Sequence, residues 1–125
     1  MTAPVLALLI ATDGTTKLGL MTPDLATIYR LTEATGIEVI SGEGTWHAYL
    51  NDVGKLDGTP PNPSATSIAA RLGNPHTAML GDTLCGPVLF LGPGHPDPAD
   101  EGDVPDDVLA AAHGLGVTVN RVAAL

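Results

Sequence analysis

One cysteine, five basic residues and four aromatics are what this 125-residue chain has little of, and each shortage removes a class of function. A lone Cys85 rules out an internal disulfide and a cysteine-based zinc site within one chain, and fits a reducing compartment. Five Lys and Arg, scattered along a chain of formal charge −9, leave no basic patch from which binding to nucleic acid or an anionic membrane can start. With only Tyr29, Trp46, Tyr49 and Phe90 as aromatics, the core has to be made from Leu, Val, Ile and Ala. The opening MTAPVLALLIATDG has an apolar run without a basic residue before it, and Asp13-Gly14 cuts it at strand length. It reads as a buried strand, neither a signal peptide nor a membrane span.

Apolar residues make up 44% of the chain, punctuated by 15 Gly and 11 Pro, which favours a folded protein of one domain. The negative charge is concentrated: residues 96–107 carry −6 of the −9. Along the chain, residues 4–12 and TKLGLM predict a hairpin turning at Asp13-Gly14. Thr22-Pro23-Asp24 predicts a helix start with Thr22 as N-cap and Pro23 at the first helical position. Leu25, Ile28 and Leu31 give that helix an inward stripe, and Gly36 ends it. IEVIS and TWHAYLN predict a second hairpin through Gly42 and Gly44. Alternation in the latter strand sends Trp46, Ala48 and Leu50 one way and His47, Tyr49 and Asn51 the other.

Asn62 as N-cap and Pro63 at N1 start a second helix with Ala65, Ile68, Ala69 and Leu72 on one face, closed by Gly73 and Pro75. Residues 74–83 read as a connection. TLCGPVLFLG reads as a strand in which Pro87 marks an edge or a bulge, and Cys85 within it as a buried, inert thiol. PGHPDPADEGDVPDD reads as a surface loop leading into a third helix with Val108, Leu109 and Ala112 inward, and VTVNRV as a last strand. The sum is a small single α+β domain: a mixed or antiparallel sheet built from hairpins, with two or three helices packed on it.

The densest polar stretch is NDVGKLDGTPPNPSAT, residues 51–66. YLNDVGKLDGTPPNPSAT, followed by GDTLCGPVLFLG, resembles a family of small uncharacterised proteins encoded by bacteriophages and plasmids, which share an N-E-x-G-K-x-x-G-x-P-x-N-x-x-A-T loop. Asn51, Gly54, Lys55, Gly58, Pro60, Asn62, Ala65 and Thr66 carry the resemblance, with Gly81, Asp82 and Gly86 downstream; Asp52 stands where Glu is common and Pro63 where a basic residue is often found. The resemblance spans about residues 1–95 and implies an origin more than an activity. Composition agrees with a GC-rich source, since Ala, Gly and Pro total 42 residues against 11 for Lys, Asn and Ile.

As chemistry, the loop offers backbone amides at a helix start together with Lys55, Asn62, Ser64 and Thr66, a pattern that can receive a nucleotide-like anion. His47, Tyr49 and Asn51 would form the wall beside it. The same residues have local uses as turn formers and as a helix cap, and the order of the glycines is not that of a phosphate loop. His47, His76, His95 and His113 lack metal-ligand spacing, and His95 with Asp97 in HPDP falls short of a site, so no metal, cofactor or catalytic residue is expected. Asp97, Asp100, Glu101 and Asp103 are candidates for a basic partner, although a charge run is commonly a solvated face or support for a following helix. The expectation is a non-enzymatic accessory protein in the bacterial host cytoplasm that binds a host or phage protein. The alternatives are a small anion-binding sponge and a self-associating module that forms a homo-oligomer.

Overall fold

A computed structural model describes residues 3–53 and 58–125. The strands are β1 (Val5–Ile10), β2 (Thr16–Met21), β3 (Ile37–Ser41), β4 (His47–Asn51), β5 (Val88–Pro93), β6 (Glu101–Gly102) and β7 (Arg121–Ala124). The helices are α1 (Leu25–Thr32), α2 (Pro63–Arg71), the single turn α3 (Pro75–Ala78) and α4 (Asp106–Gly114). The domain is α+β, with a mostly antiparallel sheet in the order β3-β4-β5-β1-β2-β7, and with β6 paired to β5 off that path. Among the described residues only β2 and β7 run parallel, so the sheet is mixed.

The two hairpins form where the turn residues place them. Asp13 accepts from the Thr15 amide while Gly14 takes a φ of 89°, a left-handed conformation that glycine adopts without steric cost. The continuous apolarity of β1 is explained by its place in the sheet. It is flanked by β2 and β5 and has helices over both faces. One core, which includes Leu8, Ile10, Ala48, Val88 and Phe90, packs under Ala65 and Ile68 of α2 and Val108 and Ala112 of α4. The other, with Val5, Ala7, Met21, Leu89 and Leu91, packs under Ile28 and Leu31 of α1. Trp46 is buried in the first core against Phe90, with ring centroids 5.6 Å apart. Its Nε1 has no hydrogen-bond partner among the described residues, a cost of about 1–3 kcal/mol that burial of the indole offsets.

Several expectations need correction. The first helix is capped by Asp24, whose carboxylate accepts from the Thr27 amide, with Thr22 and Pro23 outside it. Thr22 instead closes a turn by accepting from the Asp24 amide. Leu25 is consequently at the helix start and exposed. The helix stops at Glu33, in the left-handed conformation at φ 53°, short of Gly36. Pro75 opens a further turn of helix, capped by Asn74, within what reads as a connection. Pro87 precedes β5, which is central, so no edge is marked there. Cys85 is only half-buried and sits in an isolated bridge to Pro61 ahead of that strand. Residues 101–102, read as loop, form β6. The last strand comes later than expected, at 121–124, and joins β2 in parallel.

Candidate functional site

Strand pleating puts His47 and Tyr49 on the α1 side of the sheet, because Trp46, Ala48 and Leu50 face the α2 and α4 side. His47 pairs with Leu91 in the neighbouring strand and Tyr49 with Leu89, and both leucines belong to the core under α1. The His47 and Tyr49 rings meet edge to face, with centroids 5.4 Å apart at 87°. Glu101 reaches His47 from 54 residues away and Tyr49 from 52. The route is a tight return of the acidic loop. Gly94 donates its amide to Asp100 O at 2.7 Å, Asp97 accepts from the Ala99 amide, and Glu101 then pairs with Pro93 and Gly102 with Gly92. Added Cβ atoms would run into the Asp103 carbonyl at Gly92 and the Pro93 carbonyl at Gly102, which explains glycine at both positions. The segment is anchored to β1 at both ends of Leu6, whose amide donates to Asp103 Oδ1 at 2.8 Å and whose carbonyl accepts from Val104 at 2.8 Å.

His47 Nε2 lies 3.0 and 2.9 Å from the two Glu101 oxygens. A carboxylate only accepts, so Nε2 carries the hydrogen. The Tyr49 hydroxyl donates to Glu101 Oε1. Burial pushes the Glu101 pKa up, but the hydrogen bonds from His47 and then Tyr49, with the His47 charge interaction, together outweigh it and hold the carboxyl below its usual range. Burial raises the Tyr49 hydroxyl strongly, and its bond to Glu101 and that carboxylate's charge raise it further. The outcome is a fixed carboxylate with two donors, its side chain 16% exposed.

Beside this carboxylate is a cleft of about 410 Å³ whose lining includes Val5, Pro93, His95, Asp100, Glu101 and Asp103. Three of the four acidic candidates therefore share one concavity. Asp97 is exposed on the loop that shapes it. Among the described residues no ion pair involves Asp97, Asp100 or Asp103. Sequence reasoning singled out both halves of the His47–Glu101 contact and put them in different sites.

The other candidates are placed apart. Asn62 is fully buried on the α2 side. Its Oδ1 caps α2 through the Ala65 amide at 3.1 Å, and its Nδ2 donates to Ile10 O at 2.9 Å and Gly86 O at 3.0 Å. Thr66 Oγ1 donates to Asn62 O and accepts from the Leu84 amide. Ser64 is half-buried beside Gly14. Asn51 is buried, accepting at 3.4 Å from the Thr35 and Val53 amides. The sheet therefore separates His47 and Tyr49 from Asn62 and Thr66, and Lys55 lies outside the described residues.

Among the described residues no group of three or more His, Cys, Asp or Glu is placed to hold a metal ion, and no helix is long and apolar enough to cross a membrane. A protein-family model described as a domain of unknown function (DUF3846) matches residues 5–113. No curated protein and no solved structure matches the chain at a significant level.

Proposed function

The chain belongs to the DUF3846 family of domains of unknown function, whose model covers residues 5–113, and on that premise we propose that it is a non-enzymatic protein-binding module whose acidic cleft receives a basic side chain of its partner. One observation carries the reading: Asp100, Glu101 and Asp103 line a single cleft, and no Lys or Arg is among its described lining residues. Glu101 is held ionised by His47 and Tyr49, so the cleft has a negative group already oriented before any partner arrives. Orientation in advance saves the ordering cost of binding. An arginine is the best match, because its planar fork bonds a carboxylate through two parallel N–H groups.

The loop of residues 51–66 and the GC-rich composition support an origin on a phage or plasmid of a GC-rich bacterium. The partner is then a host or phage protein met in the bacterial cytoplasm, and the effect is to blunt a defence or redirect host metabolism. The test is affinity capture from such a host's lysate with the wild-type protein and with an Asp97→Asn/Asp100→Asn variant in parallel. A partner retained by the wild type, lost by the variant and released by about 0.5 M salt is expected, since exposed charges are screened within a few ångströms there. A partner held equally by both proteins, or one that resists salt, overturns the reading.

A further inference from the structure

At the end of the molecule built by α4 and the segment after it, a second and larger cleft of about 570 Å³ has a different character. Its lining includes Leu18, Leu109, Val117 and Val119; among the described lining residues His113 and Arg121 are the ionisable groups, with no Asp or Glu. In a chain of net charge −9 this is a local reversal of sign over an apolar floor. Its volume is in the range of small-molecule sites, which combine apolar walls with a few polar groups that fix orientation.

The walls are firmly held. α4 is capped by the amides of Leu115, Gly116 and Val117, which donate back to Ala111, His113 and Ala112 respectively, with Gly116 at φ 77°. The chain is then strapped to β2. Thr16 Oγ1 donates to Thr118 O at 2.6 Å and accepts from the Asn120 amide at 2.9 Å, and Leu18 donates to Asn120 O at 2.8 Å. Residues 116–121, which close the cleft, lie beyond the 5–113 covered by the family model.

His113 has a local use, since it sits in the last turn of α4, where positive charge complements the helix dipole. Arg121 has no such use. It belongs to β7, is exposed, and makes no ion pair or side-chain hydrogen bond with another described residue. We propose that this cleft binds a small amphipathic carboxylate, with the aliphatic or aryl part against Leu109, Val117 and Val119 and the carboxylate on the Arg121 guanidinium. A single fork matches a singly charged carboxylate. The helix end here is the C-terminal one, whose partial negative charge opposes any anion and a multiply charged phosphate most, so the carboxylate is placed on Arg121 and away from the end of α4.

The experiment is a titration with octanoate followed by amide chemical shifts, with octanol and inorganic phosphate as probes of each half of the ligand. Saturable shifts at His113, Val117, Thr118, Val119 and Arg121 are expected with octanoate. Arg121→Gln, an exposed substitution whose fold is checked by circular dichroism, lowers the affinity about tenfold or more, as loss of a charge-assisted bond requires. Octanol and phosphate bind at least tenfold more weakly than octanoate. Absent shifts, shifts centred elsewhere, undiminished binding by the Arg121→Gln variant, or octanol binding as tight as octanoate would each overturn the proposal.

Discussion

Glu101 is a side chain that burial alone would drive towards its neutral form, and two hydrogen-bond donors reverse that tendency. Because its folded pKa lies below the unfolded one, its contribution to stability is complete above the ordinary glutamate range and disappears as the pH falls through the lower folded value. Glu101→Gln is therefore expected to cost about 1–2 kcal/mol at neutral pH, with the gap between variant and wild type closing under acid. Urea unfolding of both proteins at a series of pH values measures this; a gap that stays constant down to pH ~2, below the usual carboxylate range, would show that the charge of Glu101 is irrelevant. The three residues of the cluster were each legible as polar candidates. Their meeting was not, because the contact spans 54 positions and no period of helix or strand links an exposed-looking acidic loop to the face of β4.

Among the elements, α2 was the most legible, since its start is written locally: Asn62 as cap and Pro63 in the first turn are where the sequence placed them. The pattern could not show that the cap also donates from α2 to Ile10 in β1 and to Gly86 ahead of β5. Asn62→Ala removes a cap worth about 1 kcal/mol and leaves two buried carbonyls without that donor, at about 1 kcal/mol or more each. A loss of about 3 kcal/mol is expected, read as a drop in the urea midpoint with an unchanged slope; a loss under about 1 kcal/mol, the value of a cap alone, would mean that the two carbonyls find water. The hairpins were legible for the same local reason. The start of α1 was not, because Thr22 and Asp24 both satisfy the grammar of a cap, and only the bond to the Thr27 amide chooses Asp24. Nor could Pro87 reveal that β5 is central, since its missing donor falls one residue before the strand.

For the whole molecule, charge sets one condition and strand order another. Residues 96–107 carry six acids and no Lys or Arg, so like-charge repulsion opposes the compact state, and salt relieves it. Raising the salt from about 0.05 to 0.5 M is expected to stabilise the protein by about 1 kcal/mol, and Asp97→Asn/Asp100→Asn to gain less; denaturation at a series of salt concentrations reads both, and equal gains would place the repulsion elsewhere. The sheet brings distant parts of the chain side by side: β1 lies between β2 and β5, and β2 between β1 and β7. Synthesis runs in one direction, so β1 and β2 leave the ribosome as a hairpin whose two outer flanks wait for residues 88–93 and then 121–124. Until residues 88–114 emerge, Leu8 and Ile10 have neither β5 beside them nor α4 over them, and the open flank of β1 is a template for pairing with another chain. The yield of this small domain in a cell is thus tied to how fast the second half of its message is read, and to which chaperones hold the first half in the meantime.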